Sequence, residues 1–188
     1  MRVIAGRAGG RRLAAPPGAA TRPTADRVRE ALFSILGPPD RDALVLDLFA
    51  GAGALGIEAL SRGAARAVFV DRSRAAVRCV RRNLDELGLT AAAEVHQDHA
   101  PRFAARLADA GGPAFTWIFL DPPYDSDLGP LALAELGRAD LLVPHGVAVF
   151  EHDRRRAPDE RYGVLVKADD RRYGDTELSF YRADRHAS

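Results

Sequence analysis

The sequence predicts a doubly wound α/β domain preceded by a basic N-terminal extension. Three observations carry that expectation. Short apolar runs alternate with helical stretches from Ala43 onward, a glycine-rich turn follows the first of those runs, and the arginines of the first 29 residues are almost unopposed by acids. The 188 residues suit one ordinary domain. A domain of this length buries roughly 70% of the surface its unfolded chain exposes, so it needs no disulfide or metal staple. Apolar residues at 47% and charged residues at 28% are ordinary globular values and exclude global disorder. No apolar run approaches the ~20 residues that span a bilayer. The start, Met1 to Gly6, lacks the apolar core and small-residue cleavage site of a signal peptide. Cys79 is the only cysteine, which rules out an internal disulfide and a CxxC metal site. The expectation is a cytoplasmic, metal-free monomer.

The elements follow in order. Residues 1–22 read as a short hairpin or arm: Val3-Ile4-Ala5 and Arg12-Leu13-Ala14 flank Gly6, Gly9 and Gly10, and Pro16-Pro17-Gly18 closes the segment. A helix then begins at Pro23 and Thr24, with Val28, Ala31, Leu32, Ile35 and Leu36 on one stripe and Gly37-Pro38-Pro39 as its stop. Strands are expected at Leu44–Phe49, Ala67–Asp71, Ala92–His96, Phe115–Leu120 and Gly146–Glu151. Helices are expected at Leu55–Arg62, Ser73–Leu87, Ala100–Ala110 and Leu128–Asp140. Ser73 fits an N-cap, Val77, Val80, Leu84 and Leu87 form a core stripe, and Gly88 fits the residue after the helix. Such alternation implies a parallel sheet covered on both faces. Tyr162–Lys167 and Glu177–Tyr181 have no helix between them and read as an antiparallel pair. The division expected is an arm and helix over residues 1–40, a catalytic domain over 41–183 and a tail over 184–188.

The first strand runs into Asp47-Leu48-Phe49-Ala50-Gly51-Ala52-Gly53-Ala54-Leu55-Gly56. Gly51, Gly53 and Gly56 fit GxGxxG, a weak pattern alone. Directly after the first buried strand of an alternating fold it points to a nucleoside-type ligand at the carboxyl edge. Asp71 ends the second strand about 20 residues on, where a carboxylate accepts from both ribose hydroxyls. That suits NAD and S-adenosylmethionine equally. Asp47 separates them, because a carboxylate there repels a pyrophosphate and favours an amino-acid ammonium. Asp98, just past the third strand, is placed to meet an adenine amino group. Each of these aspartates alone is more simply a capping residue; three at successive carboxyl ends favour a cofactor.

The fourth strand ends in Asp121-Pro122-Pro123-Tyr124. Two prolines fix an extended turn and remove two N–H donors. What remains is a set of acceptors, the Asp121 carboxylate and the Pro122 carbonyl, suited to a planar amino group, with Tyr124 able to stack on the ring that carries it.

These residues resemble the class I methyltransferases that act on exocyclic amino nitrogens of nucleobases. The ends narrow the likeness. Gly9-Gly10-Arg11-Arg12-Leu13, the run from Thr21 to Phe33, and Tyr173-Gly174-Asp175-Thr176 are similar to the terminal signatures of the RsmD family, 16S rRNA (guanine-966 N2)-methyltransferases. The likeness extends from about Arg2 to Tyr181. Asp71 stands where that family often carries Glu, and His99 where a small residue is common. The resemblance implies a Rossmann-like fold with a seven-stranded, mostly parallel sheet and an antiparallel C-terminal strand pair. It also implies S-adenosylmethionine as cofactor, held by Asp47, Phe49, Ala50, Gly51, Ala52, Gly53, Asp71, Arg72, Asp98 and His99. Asp121, Pro122, Pro123 and Tyr124 take the catalytic roles. The implied partner is 16S rRNA in the assembled or assembling small ribosomal subunit.

The arm then has a use. Residues 1–29 hold seven arginines against Asp26 alone, whereas the remainder has 20 basic and 25 acidic residues. Arg7, Arg11, Arg12, Arg22, Arg27 and Arg29, with Thr24, are candidates for contact with RNA phosphates, although some could instead pin the arm to the domain. Rival readings are an NAD-dependent oxidoreductase, a catalytically silent RNA-binding assembly factor, and a sister methyltransferase with another target base. Asp47 and the Asp-Pro-Pro-Tyr turn oppose the first, and the retained turn and glycines oppose the second. The third differs only in the terminal signatures, because the turn recognises an amino group and not a base. The scattered His96, His145, His152 and His186, Cys79, and the sheet residues Trp117 and Phe119 are read as structural or surface positions.

Overall fold

The computed structural model describes residues 1–16, 23–123 and 125–185, with side chains for all of these except 23–25. Arg22 and Tyr124 lie outside the described residues, as does the side chain of Thr24. The chain divides into two compact units, Met1–Gln97 and Asp98–Ser188. That division falls well beyond residue 40, because the arm packs into the first unit.

In the first unit, α1 (Pro23–Leu36) precedes β1 (Leu44–Asp47), α2 (Ala54–Arg62), β2 (Arg66–Asp71), α3 (Arg74–Glu86), a 3-10 turn at Thr90–Ala92 and β3 (Ala93–Gln97). The strands lie in the order β3-β2-β1, all parallel, with Asp47 opposite Phe69 and Asp71 opposite Gln97. Val45, Leu46, Phe69 and Val70 are fully buried, as continuous apolar strands of a covered parallel sheet must be. The ends of α3 behave as read. The Ser73 hydroxyl accepts from the Ala76 N–H. Gly88, at φ 66°, lets the Leu89 N–H return to the Leu84 carbonyl.

The stripe on α1 differs from expectation. Ile35 is 44% exposed, and the buried positions are Val28, Arg29, Leu32 and Phe33. The helix buries an i, i+1, i+4, i+5 face, and Arg29 enters it with one terminal guanidinium nitrogen donating to the Arg2 carbonyl and to Asp26.

The arm is a short antiparallel loop rather than a full hairpin, closed by an isolated bridge between Arg2 and Arg12. Val3 N–H bonds the Arg11 carbonyl at 2.9 Å, and Gly10 N–H bonds the Val3 carbonyl at 2.9 Å. Its docking centres on Glu58, a fully buried carboxylate on α2. That carboxylate accepts from Ile4 N at 2.7 Å, Ala5 N at 3.0 Å and Arg62 Nε at 2.8 Å. Ser61 adds two bonds, accepting from Ala8 N–H and donating to the Ala5 carbonyl. Buried polar groups are mostly satisfied in this way.

The second unit runs α4 (Ala100–Asp109), β4 (Phe115–Leu120), α5 (Leu128–Leu136), β5 (Leu142–Asp153), β6 (Arg161–Tyr162), β7 (Leu165–Tyr173) and β8 (Thr176–Ala183). Its strand order is β4-β5-β8-β7-β6. The pair β4–β5 is parallel and the rest are antiparallel. The described residues therefore form eight strands, one more than the seven expected. The extra strand arises because Tyr162–Lys167 is not one run: Gly163, at φ 57°, turns the chain so that Tyr162 pairs with Leu165. Helix α5 stops at Leu136, short of the expected Asp140, where Gly137 packs against the Tyr162 carbonyl. Trp117 and Phe119 are buried sheet residues, as read.

Candidate active site

Asp47 and Asp71 are the last residues of two adjacent parallel strands, so both stand at the carboxyl edge of the first unit. The glycine turn between β1 and α2 is built from backbone contacts. Gly53 N–H reaches the Ala50 carbonyl, and Ala50 N–H reaches the Val70 carbonyl at 3.0 Å. Gly53 caps α2 at φ 81°, a conformation that side chains rarely adopt. Gly56 answers a different need: a Cβ there would stand 2.3 Å from the Phe69 ring, so the close approach of α2 to β2 requires glycine.

Both carboxylates are tied to this turn. Asp71 accepts from Gly51 N at 2.9 Å through Oδ2 and from Ser73 N at 2.8 Å through Oδ1, leaving lone pairs on each oxygen. Asp47 is 2% exposed and accepts from Gly56 N at 3.1 Å. Burial pushes its carboxyl up to about 7. The Gly56 N–H works against that rise, and the Asp71 charge adds to it. A buried carboxyl with so little compensation is poised to gain from a cation placed beside it. This donor set fits an adenosyl amino acid: a cradle of glycine and alanine, a carboxylate for a ribose diol and a buried carboxylate for an ammonium.

Phe49 to Gly53 and Arg72 thus lie with Asp47 and Asp71 in the first unit, Arg72 exposed. Asp98 and His99 open the second. The Asp98 carboxylate pairs with Arg106 and accepts from His99 N at 2.8 Å. Burial works to raise its pKa, but those hydrogen bonds and the Arg106 and Arg102 charges outweigh it and hold the carboxyl below its ordinary value. His99 is exposed at the N-cap of α4 without a side-chain capping bond.

Asp121, Pro122 and Pro123 follow directly from β4, with Pro122 buried and its neighbours exposed. The turn is held from behind: the Pro123 carbonyl accepts from Ser126 Oγ at 2.7 Å and Ser126 N at 3.1 Å. A small concavity lined by Pro122, Pro123, Ser126, Pro130, Phe150 and His152 adjoins it. His152 is buried, with Nε2 2.8 Å from Ser179 Oγ, which places it in the structure of the sheet as read. Burial also raises the Cys79 thiol pKa, in keeping with packing. Among the described residues no cluster of three or more His, Cys, Asp or Glu could hold a metal ion, and no helix is long and apolar enough to cross a membrane.

Of the arginines proposed for RNA, Arg7, Arg11, Arg12 and Arg27 are exposed. Arg29 is not. It is 5% exposed, donates to the Arg2 carbonyl and to Asp26, and lies 4.0 Å from Glu58. It pins the arm rather than facing a polyanion.

Two residues at the site escape motif reading. Asn83 is 1% exposed on α3; its Nδ2 donates to the Ala52 carbonyl in the glycine turn at 2.9 Å and to the Ala14 carbonyl at 3.0 Å, while its Oδ1 accepts from Ala14 N at 2.9 Å. Glu58 holds the arm. Each is a polar residue on an otherwise apolar helix face, beside Val80 and Leu84 or Ile57 and Leu60, and that misfit was the available signal.

Comparison with known proteins sets these features in a family. The family described as Conserved hypothetical protein 95 matches residues 1–182. The chain is 42% identical over 182 residues to YlbH of Bacillus subtilis, covering 97% of this chain and 98% of that protein. It is 44% identical over 124 residues to Ribosomal RNA small subunit methyltransferase D of Escherichia coli strain K12, covering 66% of this chain and 60% of that protein. The solved structure of the Escherichia coli methyltransferase yhhF superposes with a TM-score of 0.82 at 32% identity, covering 98% of each chain.

Proposed function

This chain belongs to the RsmD-type methyltransferase family, and on that premise we propose that it transfers a methyl group from S-adenosylmethionine to the exocyclic N2 of a guanine in small-subunit ribosomal RNA, guanine 966 of 16S rRNA. The observation that carries the choice of an amino nitrogen is the Asp121-Pro122-Pro123 turn leaving β4, which offers acceptors and few donors.

The bound cofactor supplies an electrophilic methyl group on a sulfonium. Asp47 would pair with the ammonium of its amino-acid moiety, Asp71 would accept from its ribose hydroxyls, and Asp98 would accept from its adenine amino group. At the nucleobase, the N2 lone pair is delocalised into the ring and is a poor nucleophile. The Asp121 carboxylate and the Pro122 carbonyl accept the two N2 hydrogens and draw the nitrogen toward tetrahedral geometry, aiming the lone pair at the methyl carbon. The nitrogen would take the methyl group that the sulfonium gives up, and Asp121 or water would accept the proton that the resulting cationic amine loses. This is orientation plus stabilisation of positive charge developing on nitrogen. Tyr124 stacks on the base, which is flipped from its own stack to reach the turn. The exposed arginines of the arm bind phosphates.

The test is methyl transfer from radiolabelled S-adenosylmethionine to small subunits lacking the modification, with deproteinised 16S RNA in parallel and the labelled base identified by mass spectrometry. Label on guanine N2 is expected. Asp121→Ala is expected to abolish turnover with cofactor affinity largely intact, and a variant with near-normal rates would overturn the assignment.

A further inference from the structure

The strongest charged feature that this chemistry leaves unused runs along α3. Arg74, Arg78 and Arg82 recur at every fourth residue and are all exposed, so they share a stripe about 12 Å long at ~1.5 Å of rise per residue. The arm lies against the adjoining strip of the same helix. The Ala14 carbonyl accepts from Asn83 Nδ2 and from Cys79 Sγ at 3.2 Å, and the Arg11 guanidinium donates to the Glu86 carbonyl at 2.9 Å. Glu86 in turn holds Arg82 through its carboxylate. Arg11 and Arg82 therefore meet at one residue, and the stripe on α3 continues the arginines of the arm.

Pairing sets this face apart. In the second unit most exposed arginines are paired, among them Arg138 with Asp109 and Glu135, Arg155 with Asp153, Arg171 with Asp169 and Arg185 with Asp140. Arg102 and Arg182, which carry no ion pair among the described residues, lie apart from one another in sequence. On the arm and α3, by contrast, Arg7, Arg12, Arg74 and Arg78 have no ion-pair partner among the described residues. Like charges four apart destabilise a helix, so the unpaired Arg74 and Arg78 call for a counter-charge from outside the chain. The stripe begins at Arg74, next to Ser73 and three residues from Asp71, and so leads from the arm toward the glycine turn.

We propose that the exposed arginines of α3 form, with Arg11 and Arg12, one phosphate-binding track, and that its occupant is the backbone of the substrate RNA. This rests on the reading of RNA as the substrate. Contacts of this kind position the strand without reading its sequence.

The test is binding of deproteinised small-subunit RNA by the full chain and by the double variant Arg74→Ala/Arg78→Ala, titrated from about 50 to 200 mM salt. Each lost phosphate contact removes about 0.7–0.9 from the slope of log affinity against log salt, so the double variant should be shallower by about 1.5. Its affinity loss across that fourfold range should then be about tenfold smaller than that of the unmodified protein. Arg74→Lys/Arg78→Lys should keep the steep slope, since the contact is one of charge. Arg171→Ala, which removes a paired arginine, should change nothing. Unchanged thermal unfolding and S-adenosylhomocysteine affinity would show that the double variant is folded. A steep slope identical in both proteins overturns the track. Loss of affinity for assembled subunits but not for free RNA also overturns it, in favour of a ribosomal protein as occupant. A flat salt dependence in the unmodified protein is a separate failure, because it removes the RNA reading itself.

Discussion

Replacing Asp47 with asparagine should stabilise the ligand-free protein at pH 8 while destroying its affinity for cofactor. The carboxyl is 2% exposed, and burial raises it from 3.8 to about 7. Below pH 4 the group is protonated in both folded and unfolded chains and costs nothing. Between about 4 and 7 the folded protein holds a proton that the unfolded chain releases, so stability falls as pH rises through this window. Above 7 the full cost is in place. A gap of about three units at ~1.4 kcal/mol each amounts to about 4 kcal/mol at pH 8, and to less than half of that at pH 5. Asparagine keeps an acceptor for Gly56 N–H and carries no charge. Urea unfolding of both proteins at pH 5 and pH 8 is the assay. The unmodified protein should lose about 3 kcal/mol more than the variant over that interval. Equal pH dependence in the two would refute the reasoning. The same group makes cofactor binding proton-linked: an ammonium beside Asp47 drives its ionisation, so calorimetry near pH 7 in buffers of different ionisation enthalpy should show proton release, absent from the variant.

Other outcomes follow from single contacts. Gly56→Ala places a methyl 2.3 Å from the Phe69 ring, and overpacking of this kind should cost about 1–3 kcal/mol in urea unfolding and weaken S-adenosylhomocysteine binding by displacing the glycine turn. Glu58→Ala removes the partner of the Arg62 guanidinium, the acceptor of the Ile4 and Ala5 N–H groups and the charge nearest Arg29 Nε, and should destabilise by about 3–5 kcal/mol, with the arm becoming the first site of proteolytic cleavage. Arg106→Ala removes the partner that holds Asp98 below its ordinary pKa. The stability this pair gives is present above the unfolded pKa and lost as pH falls through the folded one, so the variant should show a weaker acid dependence below pH 4, and an Asp98 titration moved upward by NMR.

Much of this was legible in the residues because the signals were local and periodic. Continuous apolar runs gave β1, β2 and β4, and Ser73 and Gly88 marked α3 to within a residue. Asp47 and Asp71 could be placed at the carboxyl edge because each closes a short apolar run next to the glycine turn, and it was their recurrence at successive strand ends, not either one alone, that set them apart from capping residues. What escaped reading depended on contacts between distant segments. The buried face of α1 was misplaced because Phe33, not Ile35, turns inward, a choice made by what the helix meets rather than by its own spacing. Arg29 looked like its neighbours and differs because it turns inward to the Arg2 carbonyl and Asp26. The roles of Glu58 and Asn83 depend on bonds to residues 31 to 69 positions away, which no local window of sequence contains.

Those long-range bonds bear on how the chain matures. The arm is synthesised first, yet it docks only on residues made later: Ala14 on Asn83, and Ile4 on Glu58. At roughly 5–20 residues per second, on the order of 3–14 s separates the making of Ala14 from that of Asn83. During that interval a strongly cationic leader has neither its carboxylate anchor nor its amide clamp. Its order is thus a late event, set by loop closure over more than fifty residues, and any measurement of refolding should find the arm among the last amides to gain protection from exchange.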